Sequence, residues 1–127
     1  MLNSLPDSRV PNPQDAPAIN WGVIAPGGIA HAYASAVNSE TKSRIAAVGS
    51  RSINRAKDFA DKFEKNGVAR AYGSYEELVN DNGIDAVYVA SPHSEHHAHV
   101  SLALNADKPV LVEKAFTQNA KQAVEIV

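Results

Sequence analysis

Cysteine is missing from all 127 residues, which excludes a disulfide scaffold and any cysteine-based metal or nucleophile chemistry. No apolar run is long enough to span a membrane, and Met1–Asn20 has no apolar segment of the kind a secretory signal carries. The net charge is −2, with no cationic block. Nothing therefore marks a surface for nucleic acid or another polyanion. By default these absences place the chain in the cytoplasm, with neither nucleic acid nor membrane as partner. What remains is ordinary for one globular domain: 44% hydrophobic residues, 20% charged and 6% aromatic.

Prolines at 6, 11, 13 and 17 crowd the start. They remove backbone donors and leave few apolar groups to bury. Residues 1–18 are therefore expected to form a flexible proline-rich extension, with the folded domain over residues 19–127.

The stretch Trp21–Ala30, WGVIAPGGIA, is the strongest local signal. It predicts a buried strand, a glycine turn and the first turn of a helix. Gly27 and Gly28 carry no Cβ, so a ligand can approach their peptide groups closely. The head of a helix offers unpaired N–H groups and a partial positive charge to an anion. Strand, turn and helix together suit a dinucleotide pyrophosphate. Against the fingerprint G-x-G-x-x-G/A the segment aligns as Ala25-Pro26-Gly27-Gly28-Ile29-Ala30. Alanine stands where the first glycine belongs, and is expected to hold the turn with a negative φ.

Downstream, the pattern alternates. Strands are expected at 19–25, 44–49, 68–72, 84–90 and 109–112. Helices are expected at 29–37, 53–66, 75–80 and 95–105, with a last one from about Gln118 still running at Val127. Alternating small residues Ala30, Ala32, Ala34 and Ala36 would let the first helix lie close to the sheet. Ile53, Ala56, Phe59, Ala60 and Phe63 mark a buried stripe on the second. Ser52 is its expected N-cap and Gly67 its C-cap, and Ser74 to Glu77 reads as a capping box. This βα alternation implies an α/β fold: a Rossmann-type, doubly wound parallel sheet in three layers, α/β/α, joined by right-handed crossovers. Ligands bind such sheets at the carboxyl ends of the strands. Four loops should meet there: Ala25–Gly28, Gly49–Ser52, Ser91–His93 and Glu113–Ala115.

The second loop carries no carboxylate to bind an adenosine ribose. It reads Gly49-Ser50-Arg51-Ser52, with Arg55 a helical turn further on. Two guanidinium groups and nearby hydroxyls suit a 2′-phosphate, which points to NADP as cofactor, with NAD possible. His93, His96, His97 and His99 lie within seven residues. Some pairs have metal-ligand spacing, but few carboxylates accompany them. One or two are expected to line the cofactor rim, with the rest solvated and no metal bound.

WGVIAPGGIA, AAVGSR, YGSYEELV, IDAVYVASPHSEHHAHVSLAL and PVLVEKA, in that order, resemble the cofactor domain of the Gfo/Idh/MocA oxidoreductases over residues 19–127. The resemblance implies an NAD(P)-dependent dehydrogenase that oxidises a secondary alcohol of a sugar, polyol or dihydrodiol. Glu113-Lys114 matches the family's E-K-P, whose lysine contacts the nicotinamide ribose and the substrate; the resemblance makes Lys114 the candidate catalytic residue and places Glu113 and Lys114 among the cofactor-binding residues, with Ala115 in place of the proline. Pro92 and His96 match a P-x-x-x-H segment that lines the nicotinamide side, where Ser91 and His93 also stand. Gly27, Gly28 and Ala30 match the pyrophosphate turn, and Ser50, Arg51 and Arg55 resemble NADP-using members. Family members continue into a second, substrate-binding α/β domain, and they are usually oligomers. On that basis the chain is expected to be a fragment that binds the nicotinamide dinucleotide without turning over substrate. The full-length protein is expected to be a homo-oligomer. The alternatives are a free-standing NADP(H)-binding regulatory module and a histidine metal-binding module.

Overall fold

The computed structural model describes residues 6–127. Five parallel strands are β1 (Asn20–Ile24), β2 (Arg44–Gly49), β3 (Arg70–Tyr72), β4 (Ala86–Val89) and β5 (Val110–Val112). They lie in the order β3-β2-β1-β4-β5. Successive strands thus run outward from β1 in one direction, and then from β4 in the other. The reversal falls between β1 and β4, which is the topological switch point of a doubly wound sheet.

The helices are α1 (Gly28–Glu40), α2 (Ile53–Phe63), α3 (Tyr75–Val79), α4 (His96–Asn105) and α5 (Ala120–Glu125). They cover both faces of the sheet, so the central strands are apolar on both sides. On one face Val23, Val48 and Tyr88 pack against Ala30, Ala34, Val37, Phe59 and Phe63 of α1 and α2. On the other, Ile24, Ala47 and Val87 pack against Leu78, Val100 and Ala103 of α3 and α4.

The helices differ from their sequence pattern in instructive ways. Ala30, Ala34 and Val37 are the buried residues of α1. That is a helical i, i+4, i+7 stripe, and it leaves Ala32 and Ala36 exposed. In α2 the buried stripe is Ala56, Phe59, Ala60 and Phe63, whereas Ile53 is 40% exposed. Ser52 caps α2 as expected, accepting from the Arg55 N–H, and Ser74 caps α3 from the Glu77 N–H. Gly67 does not cap α2. The helix stops at Phe63 with Glu64 as C-cap, and Gly67 (φ 135) follows a left-handed Asn66 in the loop beyond. The last helix ends at Glu125, with Ile126 as its C-cap.

Of the proline-bearing segment, residues 1–5 lie outside the described residues. Pro6–Ala18 is exposed and holds one 3-10 turn, Pro13–Asp15, capped by the Asn12 side chain.

Candidate functional site

The four loops at the carboxyl end of the sheet enclose a cleft of about 840 Å³, a volume in the range of small-molecule sites. Its floor is the turn between β1 and α1. Gly27 is the N-cap of α1 with φ −94, and a Cβ built there or on Gly28 would meet no atom within 4 Å. The space a side chain would take is open. The N–H groups of Gly28, Ile29 and Ala30 head a thirteen-residue helix, where no intrahelical acceptor exists for them.

Two expectations about this turn are corrected. Ala25 has φ +67, in the left-handed region that favours glycine. The turn therefore keeps the motif's geometry, and the alanine carries the steric cost. The Gly27 N–H is also committed, donating to the Ala25 carbonyl at 2.8 Å. The anion-facing donors thus begin at residue 28. The turn is tied to the core from behind: His31 Nδ1 lies 2.8 Å from the Gly27 carbonyl oxygen, and its ring packs edge-on to Phe59 and Phe63. Ala30 does not reach the cleft. It is 0% exposed, inside the α1–sheet contact, and its small size allows that close approach.

Arg51, Ser52 and Arg55 line one end of the cleft, together with Tyr75 from α3. Ser50 lies there too, buried, with its Oγ accepting from the Ser52 N–H at 3.1 Å. Burial pushes the Tyr75 phenol up, while Arg51 and Arg55 oppose that shift. Both guanidinium groups therefore act on one corner. Tyr75 packs edge-on to His99 at 4.6 Å, and His99 Nδ1 meets the Ser91 hydroxyl at 2.8 Å. Burial pushes His99 down, with Glu95 acting the other way. Tyr75 and His99 are wall residues that sequence reasoning did not assign to the site. The signal for Tyr75 was visible but was absorbed by its place in a capping box.

At the other end stand Ser91, Pro92, His93, Glu113 and Lys114. Lys114 is exposed, and the Lys114–Ala115 peptide bond is cis. Glu113 accepts a hydrogen bond from the Tyr88 hydroxyl. The histidines divide. His93 and His99 line the cleft, and His97 Nε2 meets Glu125 Oε2 at 2.7 Å on the surface. His96 is neither on the rim nor solvated. It is 0% exposed, with its ring nitrogens turned to two backbone carbonyls. The expectation that it faces the cofactor is corrected: the first turn of α4 points this side chain inward. Among the described residues, no three His, Asp or Glu side chains converge as metal ligands, and no helix is long and apolar enough to cross a membrane.

The chain has clear relatives. Residues 19–127 match the model of the Gfo/Idh/MocA oxidoreductase family, NAD-binding Rossmann fold. Trans-1,2-dihydrobenzene-1,2-diol dehydrogenase of Mus musculus is 38% identical over 112 residues, covering 87% of this chain and 33% of that protein. D-xylose 1-dehydrogenase (NADP(+)) of Hypocrea jecorina is 42% identical over 118 residues, covering 86% and 30%. The crystal structure of KijD10, a 3-ketoreductase from Actinomadura kijaniata, in complex with NADP, superposes with a TM-score of 0.79. It is 32% identical, with coverage of 87% of this chain and 34% of that one. The chain thus spans about a third of the length of the curated relatives it matches.

Proposed function

The chain belongs to the Gfo/Idh/MocA family of oxidoreductases with an NAD-binding Rossmann fold, and from that premise we propose that it is the NADP(H)-binding domain of a dehydrogenase. The substrate class proposed is a secondary alcohol of a sugar, polyol or dihydrodiol. The observation that carries this reading is the convergence of three chemistries on one cleft: an open glycine turn at a helix head, an arginine pair, and a lysine.

The residues present fit the dinucleotide. The uncovered Gly27 and the N–H groups at the head of α1 suit the pyrophosphate. Arg51 and Arg55, with the hydroxyls of Ser50 and Ser52, suit a 2′-phosphate, since they donate and no carboxylate closes β2. Each charge-assisted bond contributes about 1.5–3 kcal/mol, so one of them favours NADP over NAD by about ten-fold or more. The Mus musculus and Hypocrea jecorina relatives, named for a dihydrodiol and for D-xylose with NADP, support both the substrate class and the cofactor.

When bound, the nicotinamide ring supplies or accepts the hydride. Lys114 stands at the opposite end of the cleft from the arginines; it is the candidate catalytic residue and would also hydrogen-bond the nicotinamide ribose. Its ammonium would donate a hydrogen bond to the substrate oxygen and so stabilise the alkoxide left when the hydroxyl proton departs, before hydride leaves the carbon; in the reverse direction it would stabilise the negative charge that builds on the oxygen as hydride arrives. Glu113, held by Tyr88, sits beside it at the same strand end.

Calorimetric titration of the chain with NADPH and NADH tests the reading. Saturable binding with NADPH about ten-fold tighter is expected. No heat at millimolar NADPH overturns it.

A further inference from the structure

His96 is the one histidine of its cluster that is fully buried, and none of the cleft chemistry above uses it. Its ring bridges two loops. Nε2 lies 2.9 Å from the Ser91 carbonyl oxygen, in the loop after β4. Nδ1 lies 2.7 Å from the Ala115 carbonyl oxygen, in the loop after β5. Carbonyl oxygens only accept, so each contact needs an N–H from the ring. A neutral imidazole provides one and an imidazolium two.

The two partners differ in how well they are otherwise held. Ser91 is 5% exposed, and β4 before it is buried along its whole length. The β5 side is weaker. That strand has three residues at the edge of the sheet. Its last ladder-like bond is the Glu113 N–H to the Val89 carbonyl at 3.1 Å. Lys114, Ala115 and Phe116 are then all exposed. Among the described residues, the His96 contact is the hydrogen bond that reaches residues 114–116 from another element.

We propose that His96 is a positioning residue for Lys114: by donating Nδ1–H to the Ala115 carbonyl, it ties the exposed loop after β5 to the first turn of α4 and so holds the lysine over the cleft. His96 acts through the Ala115 peptide and touches no ligand. This inference rests on the NADP(H)-domain reading.

Two substitutions separate the contacts. The side-chain amide nitrogen of asparagine stands close to the place of Nδ1, and that of glutamine close to the place of Nε2. The native chain, His96→Asn, His96→Gln, Lys114→Ala and His96→Gln/Lys114→Ala are titrated with NADPH and with adenosine 2′,5′-bisphosphate, which lacks the nicotinamide end. All five should bind the bisphosphate with equal affinity. His96→Gln should lose about ten-fold in NADPH affinity, and Lys114→Ala a similar factor. His96→Asn should stay within about two-fold of native. The double variant should be no weaker than Lys114→Ala, because both changes remove one interaction. Equal losses for Asn and Gln, additive losses in the double variant, or a parallel loss of bisphosphate binding would each overturn the proposal. Failure of the native chain to bind the bisphosphate would instead overturn the NADP(H) reading on which it stands. A second measurement needs no variant. A through-bond 15N–13C coupling between His96 Nδ1 and the Ala115 carbonyl carbon supports the tie, and a bare, unprotonated Nδ1 overturns it.

Discussion

The Tyr88 hydroxyl donates to Glu113 Oε1 at 2.5 Å, joining the interior of β4 to the strand end beside Lys114. Tyr88 is 2% exposed and stacks on Tyr33, with ring centroids 3.8 Å apart and planes 17° from parallel. Burial first, and then the Glu113 carboxylate, push its phenol well above the usual tyrosine range. It is a donor at every physiological pH. Tyr88→Phe keeps the stack and removes the bond. It should cost about 1.5 kcal/mol, the low end for a charged acceptor, because the half-buried Glu113 can turn to water instead. Urea unfolding at pH 7 checks this; an unmoved midpoint would show that the bond contributes nothing.

Gly27→Ala should separate folding from binding. The residue has φ −94, which alanine adopts freely, and its Cβ would meet no protein atom within 4 Å. The melting temperature should therefore stay within about 2 °C of native, as for a substitution with no structural cost. The new methyl group would occupy the space a pyrophosphate needs, so NADPH affinity should fall by about ten-fold or more. A variant that melts like native and binds like native would remove the turn from the site.

Arg51→Ala should weaken NADPH by about ten-fold or more and leave NADH within about two-fold, since the lost charge-assisted bond is to the 2′-phosphate. Competition titration with the two cofactors measures the ratio. Equal losses for both would assign Arg51 to the adenine or ribose instead.

Acid should weaken the fold through Asp81. Burial alone would raise this carboxyl; donors from Arg70, the Gly83 N–H and the Tyr72 hydroxyl outweigh that and hold it below its ordinary value. A carboxyl depressed in the folded state stabilises fully above its unfolded pKa, roughly 4, and that stability disappears as pH falls through the lower folded value. Asp81→Asn should therefore be less stable than native at pH 6, with the gap narrowing as pH falls below about 4. Urea midpoints across that range test it; a gap that is constant with pH would contradict the assignment.

Much of this site is readable in the sequence because loops at strand ends follow from strand order. Once five apolar runs alternate with helical stripes, parallel topology fixes which four loops share a rim, and Arg51, His93 and Lys114 reach the cleft by that logic. Ala25 was misread because a local rule, that alanine avoids positive φ, competes with the path of the chain between β1 and α1. That path is set by the sheet and the helix together, and it wins. Tyr75 and His99 went unassigned because their meeting, 4.6 Å between ring centroids, joins α3 to α4 across a long stretch of chain.

By itself the sequence determined the parallel α/β architecture, the switch point and the loops that form the cleft, because period and polarity are local properties that repeat along the chain. Only the tertiary structure decided which side of α4 each histidine takes. His93, His96, His97 and His99 are chemically one cluster, yet they end in the cleft, in the core, on the surface and against Ser91. Their fates depend on the direction each Cβ leaves α4 and the turn before it, relative to two distant loops. No spacing within seven residues encodes that.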